Sequence, residues 1–101
     1  MHKRLQLILI ALTFYSATFA QKATISGRVV DTLGQGLIGA IVVEKGTSNG
    51  AVVGENGKFS INVNDAKTAS ITASYSGYAN STVALGGKTT ITITLRENSV
   101  G

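Results

Sequence analysis

Thr89-Thr-Ile-Thr-Ile-Thr-Leu95 is the stretch on which the fold turns. Threonine and aliphatic residues alternate without a break. Ile91, Ile93 and Leu95 therefore fall on one face and the threonines on the other. A period of two is the period of a strand covered on one side only. Thr and Ile are also β-branched, stiff at χ1 and suited to a pleated, half-buried surface.

Moving back from this strand, the same pattern repeats between turn signals. Gly86-Gly87 turns the chain after a weaker strand, Tyr78 to Leu85, that carries Val83 and Leu85 inward. Ser76-Gly77 separates it from Ser70-Ile-Thr-Ala-Ser-Tyr75, whose Ile71, Ala73 and Tyr75 share a face. Asn64 to Lys67 turns the chain again after Lys58-Phe-Ser-Ile-Asn-Val63, which points Phe59, Ile61 and Val63 inward. Asn56-Gly57 supplies the two positive-φ positions of a type I′ turn. Before it come the short strand Ala51-Val-Val53, the loop Gly46-Thr-Ser-Asn-Gly50 and the strand Ala40-Ile-Val-Val-Glu-Lys45. The apolar run of that last strand is continuous, so alternation does not tell which face is inward. Asp31 to Gly36 is a turn rich in glycine, and Thr24 to Val30 is the first strand, with Ile25 and Val29 on one face. The expectation is an all-β fold: a small antiparallel β-sandwich of about seven strands with Greek-key-like connections. No proline guards the edge strands; Lys22, Lys45 and Lys88 near strand ends are the available substitutes.

The front of the chain is different. Lys3 and Arg4 precede an apolar run from Leu5 to Tyr15, and Ser16-Ala-Thr-Phe-Ala20 ends in small residues at the positions a signal peptidase reads. The apolar run is shorter than the roughly 20 residues a membrane span requires. Residues 1–20 thus read as a cleavable secretory leader helix, residues 21–95 as the sandwich domain, and residues 96–101 as a tail or the start of a linker. The leader implies that the chain is exported. No cysteine follows the leader, so neither a lipid anchor on cysteine nor a disulfide is available.

The formal charge of +4 includes the two leader cations; without them seven cations face five acids. They are scattered, and nucleic-acid binding, which needs a concentrated basic face, is disfavoured. The only histidine is His2. A chain without its leader therefore lacks the residues for His-based acid–base work, a Cys nucleophile or a common zinc site. A Ser-Lys dyad is formally available, but no one pair stands out. Asp31, Glu44, Glu55, Asp65 and Glu97 read as solvated charges rather than a glycosidase pair. Gly54-Glu-Asn-Gly57 offers too few oxygens for calcium, and Gly46 to Gly50 lacks the Gly-Lys-Ser/Thr ending of a phosphate loop. Asn80-Ser-Thr82 is a formal glycosylation acceptor. Tyr75 and Tyr78 read as corner packing, with an exposed sugar-stacking platform as the alternative. No catalytic, cofactor-binding or metal-binding residue is assigned, and no cofactor is expected.

Several segments in order resemble the carboxypeptidase regulatory-like domain, a transthyretin-like sandwich, in the form that heads SusC/RagA-type TonB-dependent outer-membrane transporters. They are Ile25-Ser-Gly-Arg-Val-Val-Asp31, Gly39-Ala-Ile-Val-Val-Glu-Lys-Gly-Thr47, Asn56-Gly-Lys-Phe-Ser-Ile61, Ala73-Ser-Tyr-Ser-Gly-Tyr78 and Gly86 to Leu95. Two departures stand in or near turns: Gly36-Leu-Ile-Gly39 where the family usually has a proline, and Val53-Gly54 where it often has Thr-Asp. The resemblance implies a non-catalytic periplasmic accessory domain, here without plug and barrel, as in a truncated front fragment. The implied partners are a transporter's barrel and plug or periplasmic proteins. The alternative is a standalone exported module for adhesion, scaffolding or carbohydrate contact.

Overall fold

The computed structural model describes residues 22–98. The expected leader lies outside them, as do the last three residues. Seven strands form: β1 (Ala23–Val30), β2 (Ile41–Glu44), β3 (Gly50–Val52), β4 (Lys58–Val63), β5 (Ser70–Ser74), β6 (Ser81–Ala84) and β7 (Thr90–Thr94). They make a three-stranded sheet, β4-β1-β7, and a four-stranded sheet, β3-β2-β5-β6. The all-β sandwich expected from alternation is the fold observed.

Alternation fixes which side chains enter the core. Ile25 and Val29 of β1, Phe59, Ile61 and Val63 of β4, and Ile91 and Ile93 of β7 are buried on the inner face of the first sheet. Val42, Ile71 and Ala73 meet them from the second, with Leu85 and Leu95 just past their strands. Each large aliphatic side chain withdrawn from water stabilises the fold by about 1.5–3 kcal/mol before entropy is charged against it. The ambiguous strand β2 resolves with Val42 and Glu44 inward and Ile41 outward.

The antiparallel expectation holds for every strand pair but one. β1 and β7 run parallel, with Ser26 beside Thr90 and Val30 beside Thr94. Periodicity specifies a strand but not its partner. The whole four-stranded sheet lies between β1 and β7 in the chain, and that long crossover permits parallel pairing.

The Asn-Gly turn also does something other than close a hairpin. Asn56 and Gly57 both have positive φ, 58° and 75°, as expected. Yet β3 and β4 belong to different sheets. The turn carries the chain from one sheet to the other, fastened by Gly54 N–H to Lys58 O at 2.8 Å and Gly57 N–H to Gly54 O at 3.1 Å. Gly57 is buried there; a Cβ would sit 2.7 Å from Gly36 Cα and press on Val29 O.

Candidate functional site

Four of the five acids weighed from sequence are on turns or beyond strand ends. Asp31 Oδ1 accepts the N–H groups of Leu33 and Gln35, each at 2.9 Å, and Asp65 Oδ1 accepts that of Lys67 at 2.9 Å. These carboxylates hold turns together. Glu55 is exposed in the crossover turn, and Glu97 bridges to Tyr78.

Glu44 is the exception, and the expectation of a solvated charge fails for it. Its residue is only 6 % exposed. It caps the margin where the two sheets meet: Oε1 accepts Asn49 Nδ2 at 3.1 Å and Oε2 accepts the backbone N–H of Asn64 at 3.4 Å. Asn49 Nδ2 also donates to the carbonyl of Asn62 on β4. The β2–β3 loop is thereby clasped onto the outer edge of β4. A buried carboxylate tolerates burial only when such donors meet it. Asn49 was not singled out in the sequence, because its partners are 5 and 13 residues away and in different elements.

Tyr75 and Tyr78 lie at the opposite margin. Both are half-buried, with ring centroids 5.5 Å apart and planes tilted by 51°. Rings so tilted do not form one flat platform. The stretch read as the start of a tail stays on the sandwich here: Ala79 N–H donates to Arg96 O at 2.9 Å and Asn98 N–H to Gly77 O at 3.0 Å. The Tyr78 phenol is held above its ordinary value, first by desolvation, then by the charges of Glu97 and Asp31, by Tyr75, and by its hydrogen bond to Glu97. A groove of about 370 Å³ beside Tyr75 is lined by Gly39, Ile41, Ser74, Tyr75 and Ser76.

The remaining sequence candidates are structural in place. In Gly46 to Gly50, Thr47 Oγ1 donates to Glu44 O at 2.8 Å and accepts Asn49 N–H at 3.0 Å, which closes the turn on itself. Asn80 is exposed just ahead of β6. Among the described residues no group of three or more His, Asp or Glu could hold a metal ion.

The sheet margins differ in what they leave open. Ser26 N–H donates to Thr89 O and Leu95 N–H to Val30 O, so odd-numbered residues of β7 bond to β1. The N–H and C=O groups of Thr90, Thr92 and Thr94 point away from β1 along an edge without proline or bulge. Such an edge is a template for another strand. The edge of β4, in contrast, is clasped by Glu44 and Asn49.

Comparison with known proteins agrees with this architecture. The family model for the CarboxypepD_reg-like domain matches residues 25–101. The TonB-dependent receptor SusC of Bacteroides thetaiotaomicron is 41% identical over 73 residues, a match that covers 71% of this chain and 7% of that receptor. The chain thus spans a small fraction of its relative's length.

Proposed function

This chain belongs to the carboxypeptidase regulatory-like domain family, and from that premise we propose that it is a non-catalytic, periplasmic interaction domain of a TonB-dependent outer-membrane transporter. The observation that carries the reading is the 41% identity over 73 residues with a receptor of that class. Residues 1–20 direct export, the sandwich occupies the periplasm, and transport belongs to a plug and barrel. A closed barrel is what crosses an outer membrane; seven short strands split between two sheets contribute contacts instead. The open β7 edge suits such a role, since strand addition gives affinity through main-chain hydrogen bonds.

Sequencing the coding DNA past codon 101 tests this reading. An open frame running into a plug and barrel supports it, and an in-frame deletion of the sandwich should then leave the barrel in the membrane but lower uptake. A stop codon with no such frame removes the transporter reading.

The groove beside Tyr75 favours a second reading, a standalone exported module that contacts carbohydrate. Its apolar floor at Ile41 and its serine hydroxyls resemble the mixed surface a sugar presents. Tyr75→Ala should then abolish oligosaccharide-dependent changes in tyrosine fluorescence; retention of those changes would remove it.

A further inference from the structure

We propose that the solvent face of the β4-β1-β7 sheet docks an acidic segment of a partner polypeptide. The proposal requires only the folded sandwich and stands whether or not the parent is a transporter.

Register brings the relevant residues together. Arg28 of β1 lies directly opposite Lys58 of β4 and beside Thr92 of β7, all on the outer face. The next row is Ser60, Ser26 and Thr90. Two cations facing each other in an antiparallel ladder repel, which costs stability. Here nothing in the ladder offsets that repulsion, because β1, β4 and β7 contain no Asp or Glu. The acids stand elsewhere: Glu44 beneath the other sheet's margin, Asp31 and Asp65 accepting bonds in their turns, and Glu97 where its backbone bridges to Tyr78. Glu55 stands at the rim, in the crossover turn.

Arg28 is also held in position. Its Nε donates to Asn56 O at 2.9 Å, which orients the guanidinium from one side and leaves its terminal nitrogens as donors. Exposed Lys22 and Lys88 stand just before β1 and β7, at the other end of the sheet. The other outer face is the reverse. The only charge within β2, β3, β5 and β6 is Glu44, and it points inward. Within the strands, therefore, the outward-facing charges are both positive and both on one sheet.

The chemistry of the face selects among anions. Besides Arg28 and Lys58 it carries mainly serine and threonine hydroxyls on the strand lattice, about 4.8 Å apart from strand to strand, which suits an extended chain. Its aliphatic member, Val30, is buried, so no side chain stands out to insert among lipids, and there is no ring to stack on a base. A guanidinium beside an ammonium matches carboxylates, the former with paired donors.

The test is a titration of the purified chain with an alternating Glu-Thr peptide of about ten residues, whose carboxylates share one face when extended. Binding should weaken as salt rises, and amide shifts should fall on β1, β4 and β7. The double substitution R28Q/K58Q should weaken binding roughly tenfold, the combined loss of two partly exposed charge contacts. The control K45Q/K67Q should change it little. The charge-reversed R28E/K58E should instead bind the matching Lys-Thr peptide, and that gain cannot come from misfolding. Equal losses in the control pair would overturn the proposal, as would stronger binding of phosphatidylglycerol vesicles or inorganic phosphate than of the peptide.

Discussion

Gly27 shows how closely the sheet is fitted at single positions. A Cβ there would lie 2.8 Å from the Phe59 ring and would also strike the carbonyl of Ile91. Overpacking of this kind costs about 1–3 kcal/mol, and a backbone atom cannot swing aside as a side chain can. Gly27→Ala should therefore lose at least about 2 kcal/mol in urea denaturation. Glu44→Ala should cost about 1–3 kcal/mol by orphaning the Asn64 N–H and an Asn49 donor, while Glu44→Gln, which keeps one acceptor oxygen, should cost less. Tyr78 gives a pH effect. Because its folded value is raised, the neutral phenol is the favoured form in the native state. That stabilisation is complete below the unfolded value near about 10 and is lost as pH climbs through the folded value. The stability of Tyr78→Phe should be flatter across that alkaline range, as followed by urea midpoints. Inward residues such as Phe59, Ile61, Ile91 and Ile93 were legible because they alternate. Glu44 was not: nothing in Ala40-Ile-Val-Val-Glu-Lys45 announces the donors that reach it from Asn49 and Asn64.

At the level of elements, β7 makes the distinction between a strand and its pairing measurable. Ile93 bonds to β1 and Thr92 faces the open edge. Proline removes an N–H, so it should be far more costly at Ile93 than at Thr92, by about 2–3 kcal/mol. Equal costs would mean that the Thr92 N–H is already engaged. The strands themselves were readable from the sequence almost to their ends, since turn residues bracket each run. Their partners were not. Asn56-Gly57 carries the local signature of a hairpin, and that signature reports backbone dihedrals alone; where the chain goes next depends on Phe59 and Ile61 finding a core under β1. The apposition of Arg28 and Lys58 was hidden for the same reason, being a product of register between strands distant in sequence.

At the scale of the whole molecule, the first strand is the centre of its sheet and the last strand completes it. β1 has β4 on one side and β7 on the other. A chain ended before Thr89 would leave β1 half-paired and remove Ile91, Ile93 and Leu95 from the core. It should show no cooperative melting by circular dichroism, whereas a chain ended after Asn98 should melt as a unit. The division into two sheets was foreseeable from seven short strands in one small domain, but the parallel return of β7 was not.

That return has a mechanical consequence. β1 and β7 are neighbours pointing the same way, so Ala23 and Asn98 lie toward opposite poles of the sandwich. Tension applied along the chain would drag the two strands lengthwise past each other. The hydrogen bonds between them would then bear load together, rather than parting one at a time as in a zipper. The sandwich is built to be pulled from its two ends and stay shut.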